Sequence, residues 1–394
     1  MEPAGRDSSI PLDRKTSNLP ARSAWFKPLV SFARVAARDL AHRRARQAPD
    51  RHLLAAENWL CRAHDATADG GVSYGYTLRG GWGASYPETS GYIATTFFRL
   101  ADDRDAGYAA RGHRILRWLI EIQHDNGSFG NPRFGPDGIV FDTGQVLFGL
   151  VRGYELSGNE ALLDGARRAA SWLTAIVDPD LRWTRNEYLA TPHVYNTRTA
   201  WALLRMNTIE FDARRLAVAR SNLDWAVDAQ QASGFFDHCA FGTGAAPFTH
   251  TIAYTTRGLL ESAVLLDDAR YLDAAERCAR ATLALLRHNG HLPSTVTIGG
   301  RPTSPTCCLT GNCQFALIWG RLFALAGDRR FLDAVDRTLE YVMATQNLTT
   351  DDLDVRGGIK GSHPVWGRYA CLSYPNWATK FFVDAMWLRR HLDP

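Results

Sequence analysis

The stretch YPETSGYIATTFFRLA, residues 86–101, decides how the rest of the chain is read. It joins a turn-rich segment to an apolar run, and it opens on the pair Glu88-Thr89. The pairs Asp142-Thr143, Asn196-Thr197 and His250-Thr251 follow, each 54 residues after the one before. The runs that carry them are FDTGQVLFGLVRGYEL (141–156), YNTRTAWALLRM (195–206) and THTIAYTTRGLLESA (249–263), and all continue with helical patterning. Two later segments, LTGNCQFALIWGRLFALAG (309–327) and YPNWATKFFVDAMW (374–387), repeat the element after longer insertions. A period this constant signals stacked supersecondary units that share one core.

Ahead of each run lies an amphipathic segment that ends in a tag of Trp, Gln, Gly and an aromatic. The clearest are Trp118, Gln123, Gly127, Phe129 and Trp225, Gln230, Gly234, Phe235. A polar side chain there can bond orphan helix carbonyls, and Gly supplies a left-handed exit. Six segments of each kind predict twelve helices. Connections after the second helix of a hairpin are short, as in LSGNEAL and LAGDRRFL. Those after the first are long and rich in Gly, Pro and aromatics, with the longest around residues 70–87 and 347–375. Long loops on one face of a regular scaffold usually carry function. The two longest become neighbours if the array closes into a ring.

Composition sets outer limits. With 394 residues, 45% hydrophobic and 22% charged, the chain has an ordinary globular composition, and the repeat favours one large unit. The seven cysteines show no disulfide-framework spacing, which predicts a reducing, cytoplasmic setting. No apolar run is long enough to span a bilayer. The net charge of +4 is concentrated in residues 1–50, where ten Lys/Arg face five Asp/Glu, so the main body offers no footprint for nucleic acid. Residues 1–25 mix Pro, Ser and charge without period and predict a disordered arm. Residues 28–46 form a basic amphipathic pattern, predicted to be an outer helix capping the ring, with a membrane surface as the alternative. The division is therefore an arm and basic helix over 1–49 and the repeat body over 50–394. Nothing in the sequence fixes the oligomeric state.

The tags and the six alternating helix pairs resemble the α/α-toroid proteins, in which an inner ring of helices is wrapped by an outer one. Within that group GWGASYPETSGYI, YNTRTAWALL, THTIAYTTRGLLES, CLTGNCQFALIWGRL and YPNWATKFF are similar to a bacterial family associated with polysaccharide biosynthesis. The resemblance covers about residues 50–394 and implies an all-α, (α/α)6 toroid of six helical hairpins behind a basic N-terminal arm. Many glycoside hydrolases and uronate lyases or epimerases share that architecture, so the implied partner is an oligo- or polysaccharide.

With the second helices inside, Glu88, Asp142, Asn196 and His250 converge on one mouth. Asp and Asn there could simply be N-caps, whereas Glu and His are poor caps and point more strongly to chemistry. Two carboxylates on adjacent helices can divide acid and base duties in glycoside hydrolysis. Proton abstraction beside a uronate carboxylate would instead use His250 or Tyr254 as base, with Asn196, Arg198 and Tyr195 around it. The residues support both readings. Substrate-binding candidates are Trp82, Tyr86 and Tyr92 near Glu88, and Gln145 and Asn312 just inside their helices. From the last loop come Lys360, His363, Trp366, Arg368 and Tyr369, with Asn376 at the final helix start. Aromatics of this kind stack on sugar rings and cations read carboxylates.

Cys307, Cys308, Cys313, His238 and Cys239 are ligand types zinc uses, but their spacing is not that of a paired site and the signatures of zinc-binding lanthionine cyclases are missing. The acid motifs of terpene cyclases and nucleotide-binding glycine loops are missing too. The sequence therefore implies no metal and no cofactor. A carbohydrate-active enzyme is the leading reading; a non-catalytic glycan-binding toroid is the alternative, and an isoprenoid or peptide cyclase a more distant one.

Overall fold

The computed structural model describes residues 23–41, 47–131 and 135–392. The arm expected over residues 1–25 thus lies almost wholly outside the described residues. After helix α1 (Ser23–Leu40), twelve helices alternate between two rings. The outer set is α2 (Pro49–Asp65), α4 (Ala106–Ile122), α6 (Glu160–Ala175), α8 (Ala213–Asp228), α10 (Ala269–Leu283) and α12 (Arg329–Thr345). The inner set is α3 (Pro87–Asp103), α5 (Val140–Ser157), α7 (Thr197–Asn207), α9 (Thr249–Leu266), α11 (Leu309–Ala326) and α13 (Asn376–Arg390). Each inner helix packs on the inner helices to either side, and α13 closes the circle by touching both α3 and the outer α2.

Burial separates the two sets. In α9, 14 of 18 residues are buried on all faces, whereas α10 buries 6 of 15 along one stripe. A helix apolar all round has no solvent face and belongs inside; a striped one wraps the outside. The inner helices approach closely because small residues stand at their crossings. A Cβ on Gly91 would lie 2.5 Å from Val146 Cα, and one on Gly258 2.4 Å from the Thr197 carbonyl carbon. Neither position has room for a side chain.

The glutamine tags staple the outer ring. Gln123 Nε2 donates to the carbonyls of Gly127 in its own loop and Gly165 on the next outer helix, both at 2.9 Å. Gln230 does the same to Gly234 (2.9 Å) and Ala274 (2.8 Å). The glycines sit at φ +91° and +87°, as the turn demands. Gln230→Ala should therefore cost roughly 1–3 kcal/mol by stranding two carbonyls. Urea unfolding measures this, and an unchanged midpoint would show the tag to be dispensable.

Strands are short and confined to the long loops. β1 (Gly75–Thr77) pairs antiparallel with β2 (Gly81–Trp82) and with β7 (Ser373–Pro375), so the first and last long loops are joined as neighbours. β3 (Gly130–Asn131) pairs with β4 (Gly135–Gly138), and β5 (Cys307–Cys308) with β6 (Ser362–His363).

The basic helix begins five residues before the predicted start and, within the described residues, ends at Leu40. It docks on the ring. Val35 and Asp39 are buried, and Arg38 Nη2 donates to the Gln346 carbonyl at 2.8 Å. The Asp39 carboxylate accepts from Lys360 Nζ and from the Val365 backbone N–H at 2.7 Å, with His363 Nδ1 at 3.6 Å. No helix among the described residues is long and apolar enough to cross a membrane.

Candidate active site

Helix caps separate scaffold from site. Asp105, Asn159, Asp212, Asp268 and Asp328 each cap an outer helix, their side chains accepting a backbone N–H of the first turn. The inner helices α3, α5, α9 and α13 are preceded by Tyr86, Ile139, Phe248 and Pro375, none of which caps. Glu88, Asp142 and His250 lie one or two residues inside their helices, and Asn196, although it precedes α7, caps nothing with its side chain. The capping role that the sequence allowed for Asp142 and Asn196 is therefore not the one they take. Their side chains turn to one another's neighbourhood at the mouth.

Rings make a nearly continuous collar there. Tyr86 faces Trp377 at 6.2 Å, and Trp377 Nε1 donates to the Tyr369 hydroxyl at 2.8 Å. Tyr369 packs on His250 (5.0 Å), His250 on Tyr254 (4.4 Å), Tyr254 on Phe141 (4.9 Å) and Phe141 on Tyr195 (5.2 Å). His193 then stacks on Tyr195 at 4.4 Å.

The carboxylates stand on one side of this collar. Asn131 Nδ2 donates to Asp142 Oδ2 at 2.9 Å and reaches the Tyr86 hydroxyl at 2.7 Å. Tyr86 also lies near enough to Glu88 to favour its charged form, so both acids stand around one tyrosine hydroxyl. Glu88 keeps partial exposure, while Asp142 is 4% exposed. Burial, opposed by Tyr86, Arg198 and Tyr92, lifts the Glu88 carboxyl from 4.5 to about 7. Burial and then the nearby Glu88 charge push Asp142 well above the usual carboxylate range. Glu88 is thereby poised near neutrality, and Asp142 is shifted in the same direction, toward its protonated form. A third buried carboxylate, Glu187, raised mainly by burial, accepts from Asn196 Nδ2 at 2.5 Å and lies 3.4 Å from His193 Nδ1.

His250 faces them across Tyr254. Its Nδ1 donates to Gln314 Oε1 at 2.9 Å, which leaves Nε2 as a bare acceptor. Burial, with Arg198 as a further cause, depresses its value from 6.5 to about 3, so the ring stays neutral. Arg198 lies beneath, with Nε donating to Gln145 Oε1 at 2.8 Å. The Tyr92 hydroxyl is buried near Glu88 and Tyr254, but neither meets it at good hydrogen-bond geometry.

The remaining candidates fall elsewhere. Asn312 and Asn376 hold backbone: Asn312 donates to the Gly290 carbonyl (2.9 Å), Asn376 to Ser73 O (2.8 Å) and Thr89 Oγ1 (2.7 Å). Lys360 and His363 gather on Asp39 beneath α1. Trp82 donates to Asp354 Oδ1 at 2.9 Å and packs on Trp59. Trp366 and Arg368 are exposed on the last loop. The buried thiols act as small polar groups; Cys307, for example, donates to Asn312 Oδ1 at 2.9 Å. Sequence reasoning missed Asn131, Glu187, His193, Gln314 and Trp377. Only Trp377 and Gln314 carried a signal, since both sit in repeat segments already marked as inner helices.

The raised carboxyl makes stability depend on pH. The folded chain keeps a proton on Glu88 that the unfolded chain loses near 4.5, so stability falls as pH rises from 4.5 to about 7. His250 acts in the opposite sense: its stabilising contribution is lost as pH falls from 6.5 toward 3. Glu88→Gln should be more stable than the parent at pH 8, by on the order of 2 kcal/mol, and no different at pH 4. Denaturant titrations at the two pH values check it. A cap residue would lose stability at both.

No protein-family model matches the chain, and no curated protein is similar to it in sequence. Solved structures are similar in fold. The unsaturated glucuronyl hydrolase of Bacillus sp. GL1, responsible for glycosaminoglycan degradation, aligns over 86% of this chain and 96% of its own with TM-score 0.68 and 15% identity. The fold is the six-hairpin α/α toroid. Cellobiose 2-epimerase of Bacillus thermoamylovorans is also similar, at TM-score 0.66 and 12% identity over 92% of this chain and 100% of its own. So is an α-1,6-mannanase of Salegentibacter sp. HEL1_6 solved with α-1,6-mannotriose, at 0.62 and 14% over 87% and 100%. In this toroid, as the helix order dictates, the mouth is the end at which the long loops gather.

Proposed function

We propose that the protein is a carbohydrate-active enzyme that cleaves a glycosidic bond by acid–base catalysis at the toroid mouth. The observation that carries this is the pair of carboxyls on one side of the collar, both shifted upward by burial: Asp142, held by Asn131, well above the usual carboxylate range and Glu88 to about 7. Hydrolysis needs such a pair, one acid to protonate the leaving oxygen and one base to activate water. Asp142 takes the first role and Glu88 the second. The aromatic collar supplies faces for sugar rings. The similarity to glycan-active toroids, although it concerns fold, agrees with this substrate class. So does the motif resemblance to a family of polysaccharide biosynthesis, in which the enzyme would trim or remodel a bacterial glycan. The seven cysteines, none paired with another, suit a reducing cytoplasm.

A second reading, proton abstraction of lyase or epimerase type, is favoured by one feature. His250 is a neutral imidazole with a bare Nε2 placed across the collar from the acids. Incubation with a panel of bacterial exopolysaccharides separates the readings. New reducing ends without unsaturation support hydrolysis; the absorbance of an unsaturated uronate, or inversion without cleavage, supports abstraction. A glycan that binds but is returned unchanged would place the protein among glycan-binding toroids instead.

A further inference from the structure

Arg198 is the second residue of α7, level with Glu88 and His250 at the mouth, yet it is only 5% exposed. Its Nε is spent on Gln145, no carboxylate lies within ion-pair distance, and its terminal nitrogens make no hydrogen bond among the described residues yet are not sealed from the outside. Instead the guanidinium carbon stands 5.0 Å from the ring centre of Tyr254 and 5.4–5.9 Å from those of Tyr92, Phe148, Trp201 and Phe381. Ring faces offset part of the cost of burying a cation, but they offer the planar fork of donors no acceptor. Other buried cations in the ring have partners. Lys380 pairs with Asp384 at 2.7 Å, Arg257 with Glu261 at 2.7 Å, and Lys360 with Asp39. Arg198 is built differently, as a charge held ready beside the acids.

We propose that Arg198 anchors the carboxylate of an acidic sugar, so that the glycan taken at this mouth carries a uronic-acid-type residue. The inference rests on the reading of the mouth as a glycan site and adds the charge of its substrate. A carboxylate matches the guanidinium fork with two parallel hydrogen bonds, and the low-dielectric aromatic wall strengthens them. The anchored sugar would lie against the collar, within the field that Arg198 already exerts on Glu88 and His250.

Calorimetry on the full chain tests it, with a glucuronate-containing oligosaccharide and the same oligosaccharide after its carboxylates are reduced to alcohols. The parent should bind the acidic form at least about ten-fold more tightly, the scale of one charge-assisted pair. Arg198→Gln should bind the two forms alike, and Arg198→Lys should keep part of the preference. Equal binding of both forms by the parent overturns the proposal, and this arm stands even if the substituted chains fail to fold. A preference that survives Arg198→Gln also overturns it, as does equal binding of an oligosaccharide whose only charge is a sulfate ester in place of the carboxylate. Cleavage of glycans with no acidic preference would remove this inference and leave the proposed function standing. Acidic preference through Arg198 without turnover would do the reverse.

Discussion

Asp142→Asn is expected to lower glycan turnover by roughly 10²–10⁴-fold while leaving the fold intact. Burial and the Glu88 charge already favour the neutral form of this side chain, so an amide of the same shape replaces it without a new buried charge. Asn131 Nδ2, now 2.9 Å from Oδ2, still has an oxygen to donate to. What disappears is the transferable proton. Initial rates on whichever glycan the parent cleaves, together with a urea midpoint, separate the two effects. Full activity in Asp142→Asn, with none in His250→Ala, would move the chemistry to the imidazole and overturn the hydrolytic assignment. Full activity in both, and in Glu88→Gln, would make the mouth structural.

Asp39→Ala should destabilise the chain by about 3–5 kcal/mol, the cost of leaving a buried cation without its counter-charge. Lys360 is 3% exposed and has Asp39 as its carboxylate partner. The substitution also frees the Val365 N–H and so loosens the loop that presents Tyr369 to His250. Thermal unfolding measures the loss. Replacing Lys360 and Asp39 together with apolar residues should recover much of it, because no orphan charge then remains. A shift below about 0.5 kcal/mol for Asp39→Ala would mean that α1 merely rests on the surface.

These two sites mark how far the sequence could be read. The 54-residue spacing displayed Glu88, Asp142, Asn196 and His250 as equivalent points, and α3, α5, α7 and α9 do bring them to one end. Periodicity reports burial, and burial decides inner against outer, so the double ring was legible. The identity of partners was not. Lys360 and His363 looked like cations for sugar because Asp39 lies 321 positions from Lys360 along the chain, beyond any local pattern. Glu187 and His193 come from an irregular connection with no repeat counterpart, although Glu187, itself beside His193, accepts from Asn196 and its charge bears on Asp142. Asn131 is similar: a single residue on a two-residue strand, linking Tyr86 to Asp142. Where the repeat is strict the sequence speaks of scaffold, and departures from it speak of chemistry. Glu88 and His250 departed from it as supposed caps, but the structure places both one residue inside their helices, so their signal lay in the repeat position and not in capping.

The proposed chemistry needs one carboxyl poised near neutrality at the mouth, beside a second that is also shifted toward its protonated form. Carbon-13 NMR of the side-chain carboxyls, with Glu88 assigned by comparison with Glu88→Gln, measures this in the unliganded protein. Glu88 is expected to titrate at about 7, and Asp142 well above the usual carboxylate range. A Glu88 carboxyl that titrates at its ordinary value of 4.5 would contradict it.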